Sequence, residues 1–342
     1  MSVVLTATRI QRCTLVAFAL LLSMCLCACS GGSSDGSQPQ EPQTSNSSSG
    51  DISSTSNQTS EGGELDAGET SGPAFEMPAS IETATFDANA AIGANDALID
   101  TSNASLGYVG ASAQNAAKLK FQVIKGEMSY NYDLSGDGTP IICPLNMGDG
   151  SYTLAVLQNT SGNNYVEVFS TTIDVALENQ FVPFLRPNIY CDYTDDSACV
   201  KKARELAQGA QNEGDVARAI YEWITESISY DTGKAAELAQ TTGYYPHPDD
   251  TLSSKSGVCF DYASLAAAMF RSLGIPCQII TGYVSPDNLY HAWNMVYLDG
   301  QWVSVQITIN PDTWTRIDTT FAASGGGSTV GDGTTYTDRY VY

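Results

Sequence analysis

Asp299-Gly300 separates two alternating runs, His291-Ala-Trp-Asn-Met-Val-Tyr-Leu298 and Gln301-Trp-Val-Ser-Val-Gln-Ile-Thr308. Asp-Gly suits the two positive-φ positions of a type I′ turn, so the runs are expected to close as an antiparallel hairpin with a two-residue loop. Counting outward from the turn, Leu298 faces Gln301, Val296 faces Val303, Trp293 faces Gln306 and His291 faces Thr308. Side chains alternate along a strand, which brings His291, Trp293 and Gln306 out on one face, with Gln306 diagonal to His291. The chain has only 2 histidines, and the hairpin gives this one a polar neighbour able to orient its ring.

Upstream, Cys259 follows Ser256-Gly257 and opens an Ala-rich run that meets no proline or glycine until Gly274. This predicts a helix with Cys259 at its N-terminus. Unsatisfied amides and the positive end of the dipole favour a thiolate there and can also hold an oxyanion. A lone cysteine in such a position is more often a small buried hydrophobe; the histidine hairpin supplies the second half of a nucleophile and base pair. Val258, Phe260 and Trp293 are the candidates for the groove wall and oxyanion site. The rest of the chain has no His, Cys, Asp and Glu spacing that suits a metal, and no cofactor motif.

The blocks Ser256-Gly-Val-Cys-Phe-Asp-Tyr-Ala263, Arg271-Ser-Leu-Gly-Ile-Pro276, Gly282-Tyr-Val284, His291-Ala-Trp-Asn294 and Asp299-Gly-Gln-Trp302 resemble the transglutaminase-like superfamily in order and spacing. The resemblance covers roughly residues 200–320. It implies an α+β, papain-like core in which a helix bearing the cysteine packs on an antiparallel sheet carrying a histidine and an aspartate. Cys259 and His291 carry over directly as nucleophile and base. The third position departs from the pattern, because Gln306 stands where the family has Asp. A carboxylate would stabilise imidazolium by charge, whereas Gln306 can only accept the ring N–H through its amide oxygen. Asp312, Asp318 and Asn294 are the candidate substitutes for that third position, although Asp318 lies too far along for the counted register and Asn294 points to the opposite face. Two readings follow: a cysteine enzyme acting on peptide or glutamine amides through a Cys259 thioester, or a weak or inactive module that grips a peptide or cell-wall component in the same groove.

The remaining segments set the context. Arg9 and Arg12 precede a short apolar run that ends in Leu26-Cys-Ala-Cys29, which resembles a bacterial lipobox. Residues 1–28 are therefore expected to be a signal peptide, with Cys29 the lipidated residue and the protein held on the outer side of the membrane. Residues 29–80, rich in Ser, Gly and Thr, read as a disordered tether. Short strand-like runs at 120–124, 152–157 and 165–169 make residues 81–188 a small β-sandwich-like domain, with 88–117 unassigned. Residues 189–342 make the transglutaminase-like domain, with two amphipathic helices near Val200–Ala207 and Val216–Ile224, a loop through 243–250, and a last strand over 336–342. A formal net charge of −23, from 15 basic and 38 acidic residues, disfavours nucleic acid as a partner; a peptide or protein is expected instead. Export permits a bridge between Cys191 and Cys199, while Cys143 and Cys277 sit in apolar contexts suited to burial.

Overall fold

Strand patterns fill the first half of the molecule: β1 (Ile92–Ala94), β2 (Ala97–Asp100), β3 (Tyr108–Ala113), β4 (Leu119–Lys125), β5 (Met128–Leu134), β6 (Ile141–Pro144), β7 (Gly150–Ser161) and β8 (Asn164–Val175). The computed structural model describes residues 70, 72–284, 289–304 and 336–342, all within one compact unit. The strands form two antiparallel sheets, in the orders β1-β2-β3-β6 and β5-β4-β7-β8. Alternation puts Phe121, Val123, Tyr130, Tyr132, Tyr152 and Leu154 inside. The stretch left unassigned from sequence holds β1 to β3. Its turn uses Asn95 and Asp96 at φ 54° and 62°, a tight turn without the glycine that usually betrays one.

The second half contains α1 (Ala198–Leu206), α2 (Glu213–Ser227), β9 (Ser229–Tyr230), α3 (Thr232–Leu238), α4 (Pro248–Ser254), β10 (Ser256–Gly257), α5 (Cys259–Ser272), β11 (Cys277–Val284), β12 (Leu289–Leu298), β13 (Gln301–Ser304) and β14 (Tyr336–Val341). The principal sheet runs β13-β12-β11-β14 and is antiparallel. Leu298 pairs with Gln301 and Val296 with Val303; Asp299 and Gly300 take φ 49° and 80°, so the hairpin has the counted register over its described part. Gln306, Thr308, Asp312 and Asp318, like the signal segment, Cys29 and residues 30–69 of the expected tether, lie outside the described residues; the end of that stretch, expected to be disordered, is instead paired to the start of α2, with the Phe75 N–H donating to the Gln211 carbonyl at 3.1 Å and the Glu213 N–H to the Pro73 carbonyl at 3.0 Å.

Helix α5 is the centre of this half. Every residue from Asp261 to Ser272 is buried, because β11 and β12 cover one side and α1, α2 and α4 the other. The small Ala263, Ala266, Ala267 and Ala268 let these neighbours approach closely. One hydrophobic cluster joins this layer to the β-rich half, with Tyr190 at the seam, its ring centroid 5.8 Å from Tyr132 and 4.4 Å from Tyr342.

Arg271 fixes the far end of α5. Fully buried, its guanidinium donates to the backbone carbonyls of Cys277 (2.9 Å), Arg186 (2.9 Å) and Tyr342 (2.9 Å). Three elements distant in sequence are thereby tied to one side chain.

Several local expectations are corrected. The loop expected after α2 contains α3 and α4, seven residues each and too short to show an amphipathic period; they are started by the Asp231 side chain and by Pro248. Asp249, within the stretch 243–250 expected to be a loop, accepts the Ala198 and Cys199 N–H groups at 2.9 and 2.8 Å, capping α1. Burial works against its ionised form, but those amides hold its pKa below the ordinary carboxylate value. Cys191 and Cys199 are free thiols and fully buried, with the Cys191 thiol 3.6 Å from the Ser264 carbonyl, so they serve as core residues.

Candidate active site

The chain reaches Cys259 through β10, which pairs in parallel with β9. Val258 is the N-cap of α5 and Cys259 its first helical residue. A buried carboxylate holds this turn. Asp261, 0% exposed, accepts the Val258 N–H at 2.8 Å, takes a hydrogen bond from the Tyr244 hydroxyl, and pairs with the Lys234 ammonium at 2.7 Å. The ammonium also lies 4.7 Å from the Tyr244 ring centroid. Gly257 has to be glycine, since a Cβ there would lie 2.6 Å from Asp261 Cβ.

Asp261 therefore fixes the helix start that presents Cys259, a role the sequence reading did not give it. The signal was available: an acidic residue at the third position of a helix can reach back to the N-cap amide. With its N–H committed to Asp261, Val258 has no amide left for an oxyanion. Phe260, at the second helical position, keeps an amide outside the intrahelical ladder. Cys259 is half-buried, whereas Cys143, Cys191, Cys199 and Cys277 are all fully buried. Burial raises the pKa of all four, to about 12 for Cys191 and Cys277.

His291 enters from β12, opposite Gly282 of β11, with Trp293 opposite Ile280. His291 and Trp293 share a face, their rings 6.5 Å apart and 20° from parallel. A Cβ at Gly282 would come within 2.9 Å of the Trp293 ring and 2.1 Å of the Thr337 carbonyl oxygen, so glycine lets the indole and β14 close over this point. His291 is 5% exposed, and burial pushes its pKa down to about 3. At neutral pH it is an uncharged imidazole, the form that can accept a proton.

Helix and strand are clamped by Asn294, on the other face of β12, whose Nδ2 donates to the carbonyls of Ala263 (2.9 Å) and Gln278 (3.2 Å). Arg271 holds the C-terminal end of α5 to the start of β11. Cys259 and His291 consequently lie toward the same end of the helix and sheet layer, one turn before Ala263 and three residues before Asn294, with the His291 side chain on the face of β12 opposite the one that Asn294 turns to α5. A partly accessible thiol at a helix N-terminus and a neutral imidazole at that end are the components of a thiol nucleophile with a general base.

A cleft of about 180 Å³ opens beside this end, lined by Phe260, Tyr190, Tyr244, Tyr245, Tyr290 and, from the β-rich half, β5 residues.

Residues 200–307 match the family model of the transglutaminase-like superfamily. The human Kyphoscoliosis peptidase is 31% identical over 136 residues, 36% of this chain and 20% of that protein. The Uncharacterized protein ML0607 of Mycobacterium leprae is 28% identical over 138 residues, 37% of this chain and 46% of that protein. The chain thus spans about a fifth and under half of these relatives' own lengths. The crystal structure of red sea bream transglutaminase aligns at 15% identity with a TM-score of 0.23, over 62% of this chain and 48% of that one.

Proposed function

Residues 200–307 being a transglutaminase-like domain, of papain-like α+β fold, we propose that the protein is a cysteine enzyme cleaving or transferring peptide or glutamine amide acyl groups. The observation that carries this reading is the start of α5: among the described residues Cys259 is the half-buried cysteine, at a helix N-terminus held by Asp261, toward the same end of the layer as the neutral His291 imidazole.

In the proposed reaction His291 accepts the Cys259 thiol proton as sulfur attacks the amide carbon. The Phe260 amide and the helix dipole stabilise the tetrahedral oxyanion. Collapse breaks the C–N bond; the imidazolium returns its proton to the leaving nitrogen, and a Cys259 thioester remains. Water, activated by the neutral imidazole, then hydrolyses it, and an amine in the same position would give transfer. Gln306 serves as the group that accepts the imidazole N–H. An amide there fixes the tautomer without adding charge, so Gln306→Asp is expected to raise the rate. The human relative's name, a peptidase, agrees with hydrolysis. The same proposal has the protein exported and anchored through a lipid on Cys29, facing a peptide or protein substrate outside the cell; Cys29→Ser should release it from the membrane fraction.

The pH dependence of iodoacetamide alkylation at Cys259, in the fragment lacking residues 1–28, tests the pair. Alkylation of Cys259 faster at neutral pH than that of a free thiol, whose pKa is about 8.5, with that advantage lost in His291→Ala because the general base is gone, is the expected result. Ordinary reactivity, unchanged by removing His291, would instead favour a groove that binds peptide without turnover, the reading that the uncharged Gln306 keeps in play.

A further inference from the structure

We propose that the outer edge of β5 receives the substrate polypeptide as an added strand, pairing with the backbone of Asn131 and Ser129 and leading the chain through the cleft to Cys259. This rests on the reading of the protein as one that acts on peptides.

Strand β5 is the outermost strand of its sheet. The Asp133 N–H donates to the Tyr245 hydroxyl, and the same hydroxyl donates to the Asp133 carbonyl at 3.1 Å. Both backbone groups of Asp133 therefore point away from β4. In an antiparallel ladder this orientation recurs every second residue, and the β4–β5 register is unbroken, with Asn131 opposite Gln122 and Ser129 opposite Ile124. Asn131 and Ser129 consequently direct their N–H and C=O groups outward too, and among the described residues no other backbone group pairs with them. Proteins usually blunt such an edge with a proline, a bulge or charge; Ser129 and Asn131 provide none of these.

The occupant is identified by what borders the edge. The Tyr245 hydroxyl acts as a one-rung strand at Asp133 and stops the edge there; the cleft beside it is lined by Asn131 and Asp133 of β5 and by Phe260, the residue after Cys259, so a chain leaving the edge at Asn131 has the cleft open to it. The Tyr190 ring lies 5.3 Å from both the Tyr245 and the Phe260 rings. At about 3.3 Å per residue, at most about three residues of extended chain span the distance from the Tyr245 ring to the Phe260 ring. Main-chain pairing tolerates sequence variation, and the aromatic faces of Tyr190, Tyr245 and Phe260 select apolar side chains over charged ones.

The test uses the full chain carrying Cys259→Ser, so that binding is read without turnover, and fluorescein-labelled β-casein, a polypeptide without fixed structure, as probe. Asn131→Pro removes an outward N–H that takes no part in the β4–β5 ladder, a position where an edge strand accepts proline; Asn131→Ala keeps the backbone donor. At least tenfold weaker anisotropy-detected binding for Asn131→Pro, with less than a twofold change for Asn131→Ala, is expected. Equal affinities in the two variants, or no saturable binding of β-casein, would overturn the inference. Hydrogen exchange on the unsubstituted β5 guards against a misfolded variant: β-casein should slow exchange at Asn131 and Ser129, and unchanged rates there would also overturn it. Protection that appears with protein concentration alone would assign the edge to a second copy of this chain and likewise overturn it. A protein that alkylates as proposed above yet leaves β5 unprotected would keep the enzymatic reading and lose this one; the reverse pattern would do the opposite.

Discussion

The Lys234 ammonium sits 2.7 Å from the Asp261 carboxylate, one partner 31% exposed and the other fully buried. Breaking a fully buried pair from one side costs about 3–5 kcal/mol, because the remaining charge has lost its solvent and its partner. Lys234 retains part of its hydration, so Lys234→Met should cost about 2–3 kcal/mol in urea unfolding. Adding Asp261→Asn should recover part of that loss, since no buried charge then remains. The double variant should still alkylate Cys259 more slowly than the unsubstituted protein, because a neutral amide holds the Val258 N–H less firmly.

Acid should unfold the protein partly through His291. Its pKa falls from the ordinary 6.5 to about 3 in the fold, by burial. Between those values the unfolded chain binds the proton and the folded one does not, so stability rises with pH across that window and is lost as pH falls from about 6.5 toward 3. The slope from this one group approaches about 1.4 kcal/mol per pH unit. Urea unfolding of His291→Gln from pH 7 to pH 4 should show that much less pH dependence; equal slopes would mean that His291 is hydrated in solution.

Arg271→Lys should be far from conservative. The guanidinium satisfies three backbone carbonyls on separate segments, a fork that a single ammonium does not span. With one or two buried carbonyls left unpaired, the expected cost is about 2–4 kcal/mol. Hydrogen exchange should locate the damage in β14, because Tyr342 is one of the three segments released.

Asn294→Asp tests the clamp between α5 and β12. The amide donates to two carbonyl oxygens; a carboxylate would face them as a third acceptor and lose about 2–3 kcal/mol at neutral pH. Because a protonated carboxyl can donate again, the deficit should shrink as pH falls, opposite in sign to the His291 effect. An Asn294→Asp protein with unchanged stability at pH 7 would show that the helix is held by packing alone.

Local chemistry written in the sequence was enough for the hairpin at Asp299-Gly300, the helix beginning at Cys259, the amphipathic pair α1 and α2, and the last strand. Each depends on neighbours within a turn or a rung, and alternation, capping and turn preference act over that range. What the sequence could not settle was which polar groups become buried partners. Asp249 looks like an exposed turn residue until α4 carries it to the amides of α1. Asp261 looks like an ordinary acidic residue in a helix until Lys234 and Tyr244 arrive from the preceding segments. Cys191 and Cys199 look like loop cysteines until α5 covers them, and β1 to β3 have weak patterns that only sheet pairing stabilises. In every one of these cases the partner lies on a different element, so the free energy that fixes the residue's role exists only after burial has removed water and brought the two together.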